Sequence, residues 1–234
     1  MPAESKRLRT ALLFQAGNFV GREYFARLVA HGRTPDLVIA VGEMKPKSVA
    51  REQQRTGGLW NPPPISRAVE THRFATLADR ALVRLLENRL IDVAIQGGVG
   101  ILKVPVLAAA RLGFLNVHPG RLPQYRGNSC PEWAIFNGDE VWATAHMVDT
   151  GIDTGPVVHA LPYDIDPRWS YHAFRAHLYR HCARVLVEAL DRIELAENLA
   201  AVLRPQEETA ARYWPPMGES EHRQVAALFA DAAA

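Results

Sequence analysis

Asn116 and His118 stand two residues apart at the end of the apolar run in "FLNVHPG" (114–120), and further on "MVDTGIDTGPVV" sets Asp149 and Asp153 around Gly151 and Gly155. Side chains two apart on a β-strand share a face, so the amide and the imidazole point the same way. The glycines allow a tight loop that folds over them. An amide, an imidazole and a carboxylate in one cleft suit acyl transfer. Asn and His donate hydrogen bonds to a carbonyl oxygen as it gains charge, and the carboxylate orients the ring or relays a proton. No side-chain nucleophile is required. The same residues also fit a blander account: His118 as a satisfied buried histidine, Asn116 as a turn former before Pro119, the aspartates as solvated loop residues.

The elements around them alternate. "TALLFQAG" (10–17) reads as a strand and the following residues to Gly32 as a helix, with Phe19, Tyr24, Phe25, Leu28 and Val29 at helical spacing. "DLVIAVG" (36–42) is the apolar strand of a parallel sheet covered on both faces. Residues 45–66 mix charge, Gly-Gly and three prolines, which predicts a helix fragment and a mobile loop. A helix over 75–89, a strand over 90–98, a short helix near 104–112 and the strand "GFLNVH" follow. Then come a helix over 131–137, two alternating strands at 141–149 and 155–165, and a long helix from Ser170 to about Ile193. This order predicts an α/β fold: a Rossmann-like, mostly parallel sheet with flanking helices and an antiparallel edge. Such sheets bind ligands at the carboxyl ends of their strands, where Asn116 and His118 stand.

The chain has 234 residues, 48% hydrophobic, enough for one large core, read as a domain over 1–204 and a short C-terminal extension over 205–234. A net charge of +2 gives no reason to expect a nucleic-acid partner, and the basic start "SKRLR" reads as a solvated tail. Two cysteines make no disulfide framework, and no stretch is long and apolar enough for a signal or a membrane span. A soluble protein of a reducing cytoplasm is expected. His177 and His181, spaced i, i+4 with His172 near, lack the Glu of a zincin motif and read as solvent-facing residues, so no metal is expected. Cys130 reads as a small buried thiol.

"NVHPGRLPQYRG", "NGD" (137–139) and "VDTGIDTGP" together resemble the signature of the folate-dependent formyltransferases. The four parts of that signature, Asn-x-His-Pro, Leu-Pro-x-Tyr-Arg-Gly, Asn-Gly-Asp and Ile-Asp-Thr-Gly, occur in order, and the resemblance extends from about residue 9 to about residue 200. It implies a catalytic trio of Asn116, His118 and Asp153, with 10-formyltetrahydrofolate as formyl donor and a free amine as acceptor. Asn116 is implied to bond the formyl oxygen, His118 to stabilise or protonate the oxyanion, and Asp153 to hold His118 or a water that takes the amine proton. The donor's pterin is implied to enter beside "GGVGIL", with Gly98, Val99, Ile101, Leu102 and Leu107 as walls and Asp149, Thr150 and Gly151 supplying backbone groups. Taken singly, these apolar residues fit core positions equally well. The resemblance further implies a cis Leu122–Pro123 peptide and a structural role for Arg126 and Gly127.

The departures bear on the acceptor. Gly120 stands where many relatives have Ser, and "GNSCPEWAIF" replaces the usual segment after the turn. Glu132 is a candidate for receiving a cationic amine and Trp133 for stacking a ring; both equally suit an ordinary amphipathic helix. The turn after the first strand lacks a Gly-rich phosphate fingerprint. The segment after Gln206 is short, against a tRNA acceptor, and Arg212, Tyr213 and Trp214 are read as cover for the acceptor, a homodimer contact or plain surface packing. The expectation is an N-formyltransferase acting on a small amine, an amino sugar linked to a nucleotide or a secondary-metabolite amine. A 10-formyltetrahydrofolate hydrolase and a catalytically idle folate-binding module stand beside it.

Overall fold

A computed structural model describes residues 7–229; Ser5 and Lys6 of the basic start and the last five residues of the C-terminal extension lie outside it. Among the described residues nine strands form: β1 (Thr10–Ala16), β2 (Leu37–Glu43), β3 (Thr71–Phe74), β4 (Val93–Gln96), β5 (Gly113–His118), β6 (Arg126–Gly127), β7 (Trp142–Met147), β8 (Val157–Pro162) and β9 (Tyr213–Trp214). Seven make one sheet in the order β3-β2-β1-β4-β5-β7-β8. From β3 to β5 every pairing is parallel, and β7 and β8 run antiparallel at the edge, as the alternation of elements implied.

Seven α-helices accompany them among the described residues: α1 (Phe19–Ala30), α2 (Pro46–Arg55), α3 (Arg80–Asn88), α4 (Val104–Leu107), α5 (Cys130–Phe136), α6 (Tyr171–Leu195) and α7 (Glu219–Ala226). Asn18 caps α1 by accepting the Val20 N–H, and Ser170 caps α6 by accepting that of Ala173. One sheet face, with Leu12, Phe14, Val38, Leu115 and Val117, buries its apolar surface with Tyr24, Leu28, Phe174 and Leu186 of α1 and α6. The other face, with Leu13, Ile39, Ala94 and Phe114, is covered by Leu82, Leu86 and Val106 of α3 and α4. Phe114, Asn116 and His118 alternate onto this second side, so β5 carries the polar pair out of the core at its carboxyl end.

Three differences from the sequence pattern have local causes. β3 was not expected because "THRF" has no apolar run; it survives as an edge strand that pairs only with β2. α3 starts at Arg80 rather than near 75 because the Asp79 side chain accepts the Ala81 N–H and sets the first turn. The 45–66 segment is pinned rather than loose: Trp60, 1% exposed, stacks on Tyr179 at 3.9 Å and donates from Nε1 to Glu23 at 2.8 Å.

His177 and His181 are half-buried rather than fully solvent-facing. His177 stacks on Trp169 at 4.3 Å, and His181 lies against Tyr163. Burial lowers both imidazoles from their ordinary range. Cys130 and Cys182 are free and buried, and desolvation pushes both thiols up, Cys182 to about 12. Among the described residues no three His, Cys, Asp or Glu gather as a metal site, and no helix is long and apolar enough to cross a membrane.

Candidate active site

β5 and β7 place Asn116 opposite His146 and His118 opposite Thr144. Cross-strand partners share a face, so the four polar side chains project together. The Thr144 hydroxyl donates to the Gly120 carbonyl at 2.7 Å and accepts from the Leu122 N–H, stapling the turn that follows His118. The Leu122–Pro123 peptide in that turn is cis.

Asp153 closes the arrangement from the 148–155 loop. Its Oδ2 lies 3.3 Å from His118 Nδ1 and accepts the Gly127 N–H at 3.0 Å, while its Oδ1 lies 3.6 Å from His146 Nε2. The other His118 nitrogen, Nε2, is 2.7 Å from the Tyr125 carbonyl. A carbonyl only accepts, so Nε2 carries a ring hydrogen, and Nδ1 is the ring atom that faces Asp153.

His146 is settled by the same reasoning. Its Nδ1–H donates to the Met147 carbonyl at 3.1 Å and its Nε2 accepts from Asn116 Nδ2 at 3.1 Å. Burial, which outweighs the pull of Asp153, lowers His146 to about 4, so the ring is neutral near pH 7. The hydrogen bond fixes which way the Asn116 amide faces and leaves its second N–H available.

Asn116, His146 and Asp153 line a cavity of about 170 Å³ with Gln96, Gly100, Ile101, Leu102, Val148 and the 149–152 loop. His118 stands behind Asp153 and outside that lining. Drug-sized ligands fill pockets of roughly 300–1,000 Å³, so this cavity holds only part of one. Ile101 is shared with a second, mostly apolar slot of about 460 Å³ between Leu77, Val83, Pro105 and Val106, with Arg80 and Lys103 also lining it.

The structure thus brings Asn116, His118 and Asp153 together and puts Ile101, Leu102, Asp149, Thr150 and Gly151 on the cavity wall. It does not put Gly98, Val99 or Leu107 there. Val99 and Leu107 pack on the buried cluster beneath α3 and α4, and the Gly98 carbonyl accepts from Asn18.

Glu132 is not on the cleft either. It is fully buried, with Oε1 accepting from Tyr171 at 2.7 Å and 3.2 Å from Arg175 Nη1. Burial pushes its carboxyl up, but Arg175 and the Tyr171 hydroxyl outweigh this and hold it below the ordinary range. Trp133 donates from Nε1 to the Pro215 carbonyl and lies 5.0 Å from Trp214, so the C-terminal segment covers it. Gly120 is more than a lost hydroxyl: a Cβ there would sit 2.7 Å from His118 Nε2.

Residues 31–190 match the family model described as formyl transferase. The chain belongs to the formyl transferase family. The methionyl-tRNA formyltransferase of Deinococcus radiodurans is 35% identical over 164 residues, 66% of this chain and 49% of that one. The chain spans about half the length of the curated relatives it matches. Phosphoribosylglycinamide formyltransferase from Streptococcus pneumoniae superposes with a TM-score of 0.58 at 22% identity, covering 80% of this chain and 98% of that one. The sugar 3N-formyltransferase WlaRD, crystallised in the presence of dTDP and 5-N-formyl-THF, gives a TM-score of 0.53 at 14% identity over 89% and 69% of the two chains. At those identities the solved structures speak for the formyltransferase fold.

His146 and Gln206 are the site neighbours that the sequence pattern missed. His146 left one trace, a polar residue two after Thr144 in an otherwise apolar strand. Gln206 left none. It reaches the loop from beyond the long helix, donating to the carbonyls of Asp153 and Gly155.

Proposed function

We propose that this chain transfers a formyl group from 10-formyltetrahydrofolate to a primary or hydroxylated amine of a small acceptor. The observation that carries the reading is the Asp153 carboxylate, set between two imidazoles at a cavity that Asn116 also lines. The donor, when bound, supplies an electrophilic one-carbon group at the amide level of oxidation. The cavity suits a flat heterocycle: Ile101, Leu102, Val148 and Ile152 are apolar, and the 149–153 loop adds polar groups at one edge. The adjoining slot suits an aromatic extension, with Arg80 and Lys103 facing a terminal carboxylate.

The roles of this chain's residues follow from their bonds. The second N–H of Asn116 donates to the formyl oxygen as charge develops there, with His146 holding the amide in place. Asp153, with His118 Nδ1 beside it, takes a proton from the amine as the new C–N bond forms, and the proton goes to the leaving nitrogen of tetrahydrofolate as its bond to the formyl carbon breaks. Tyr125 keeps the opposite ring nitrogen protonated throughout.

An anionic acceptor, such as a nucleotide-linked amino sugar, is favoured by a groove of about 520 Å³ beside the Gly17 turn, where Arg22, Arg67 and Arg73 outnumber Glu70. The adjacent Asn18 bonds Gly98, which ties that turn to the β4 end of the site. The two free cysteines agree with work in a reducing cytoplasm.

The test is incubation with 10-formyltetrahydrofolate and a panel of amines: nucleotide-linked amino sugars, hydroxylated diamines, amino acids and methionyl-tRNA. An acceptor that gains one formyl mass while tetrahydrofolate appears supports the reading, and Asn116→Ala then lowers kcat by about 10² to 10³. Formylation of methionyl-tRNA alone, release of formate alone, or binding without turnover each overturns it.

A further inference from the structure

We infer that Gln206 is a positioning residue: its side-chain amide clamps the backbone of the Asp153 loop, and the segment carrying it belongs to the working site. The inference rests on the formyl-transfer reading for its catalytic consequence and on geometry alone for the clamp. Nε2 of Gln206 donates to the Asp153 carbonyl at 2.9 Å and to the Gly155 carbonyl at 2.7 Å. Its Oε1 accepts from Arg126 Nε at 3.1 Å and from Arg126 Nη2 at 2.9 Å. A primary amide has two donors and two lone pairs, so every hydrogen-bonding valence of Gln206 is used.

The loop needs such a hold. Asp153 sits at φ 56°, a left-handed conformation that costs energy in a residue with a Cβ and persists only where neighbours impose it. Thr150 and Gly151 are exposed and Ile152 is half exposed, so packing gives the loop little support. Two tethers remain. Gly127 N–H holds the Asp153 carboxylate and Gln206 holds its carbonyl.

Both tethers lead to the same strand. Arg126 and Gly127 form β6, which pairs in parallel with Tyr213 and Trp214 of β9. Arg126 is buried and also binds Glu208, through Nη1 to Oε2 at 3.0 Å and Nη2 to Oε1 at 2.7 Å. Upstream, Arg204 exchanges two backbone hydrogen bonds with Val157 of β8, at 2.8 and 2.9 Å. Residues 204–214 therefore cross from one side of the loop to the other with Gln206 at the crossing. Trp214 seals the far end, stacked on Tyr125, whose carbonyl orients the His118 ring. A boundary drawn at residue 204 would cut the clamp away from the carboxylate it places.

Two variants separate the clamp from mere anchoring. Gln206→Leu removes all four bonds, whereas Gln206→Glu keeps an acceptor for Arg126 but has no N–H for the two carbonyls. In chains carrying ¹⁵N-labelled histidine, both variants are expected to shift the His118 and His146 ring resonances, as Asp153→Asn does. With an acceptor found, kcat falls by about tenfold to a hundredfold for a sub-ångström to ångström displacement of Asp153, while affinity for 5-formyltetrahydrofolate holds. Wild-type ring resonances in folded Gln206→Glu overturn the inference, and this result does not depend on any turnover. The wild-type chain supplies an independent reading. Its Gln206 side-chain amide protons exchange with water at least about tenfold more slowly than those of exposed Gln53, since exchange requires breaking bonds to two carbonyls. Equal rates overturn the clamp even if neither variant folds.

Discussion

Glu132→Gln separates a recognition role from a structural one. The carboxylate is completely buried and 3.2 Å from Arg175, itself 4% exposed. Gln keeps the size and keeps an acceptor for Tyr171, so the change removes little but charge. At an effective dielectric near 20, unit charges at that separation attract by about 5 kcal/mol. Breaking a buried pair by removing one partner costs about 3–5 kcal/mol, because the remaining charge stays desolvated. For a domain of this size each kcal/mol moves Tm by about 2–4 °C, so a fall of roughly 6–20 °C is expected. The companion change Arg175→Met removes the stranded cation, and the double variant should recover most of the loss. The carboxyl is held below its ordinary range in the folded chain. Its stabilisation is therefore complete above the ordinary carboxylate value and disappears as pH falls through the lower folded value. Urea unfolding of the four species, followed by tryptophan fluorescence across that range, measures both effects. If Glu132→Gln keeps wild-type stability and raises KM for an amine, the carboxylate faces the cleft and this reasoning is wrong.

Two further outcomes follow from the site. His146 is lowered to about 4 in the folded chain, while the unfolded ring keeps its ordinary value of 6.5. Acidification through this window protonates the unfolded state first, so stability present above 6.5 is lost as pH falls toward 4. His146→Gln, which keeps an acceptor for Asn116, should flatten that part of the pH dependence, as urea midpoints on either side of the window will show. Gly120→Ala presses a Cβ to 2.7 Å from His118 Nε2 and 2.8 Å from the Tyr125 carbonyl. It should cost about 1–3 kcal/mol of stability by overpacking and lower kcat with little change in 5-formyltetrahydrofolate affinity; an unchanged kcat would show that the ring's bond to Tyr125 has no part in turnover.

The local order of residues determined a great deal. Apolar runs such as "TALLF" and "DLVIAV" alternate with helical spacings, and that alternation already specifies a parallel sheet with helices on both faces. Asn116 and His118 were legible for the same reason: strand geometry is a period of two, and "NVH" before Pro119 carries it within three residues. The loop with Asp153 was legible from its glycines. What only the tertiary structure decided is whatever depends on partners far along the chain. Glu132 suits a cleft and an amphipathic helix alike until Arg175 and Tyr171 of α6 are packed against it. Val99 and Leu107 are equally apolar on a wall or in a core, and only the packing of α3 and α4 chooses. His146 acquires its role from the register of β7 on β5, and Gln206 from a chain crossing more than fifty residues later. Periodicity is a property of neighbours in sequence; hydrogen-bond partners and burial are properties of neighbours in space, which the folded chain alone brings together.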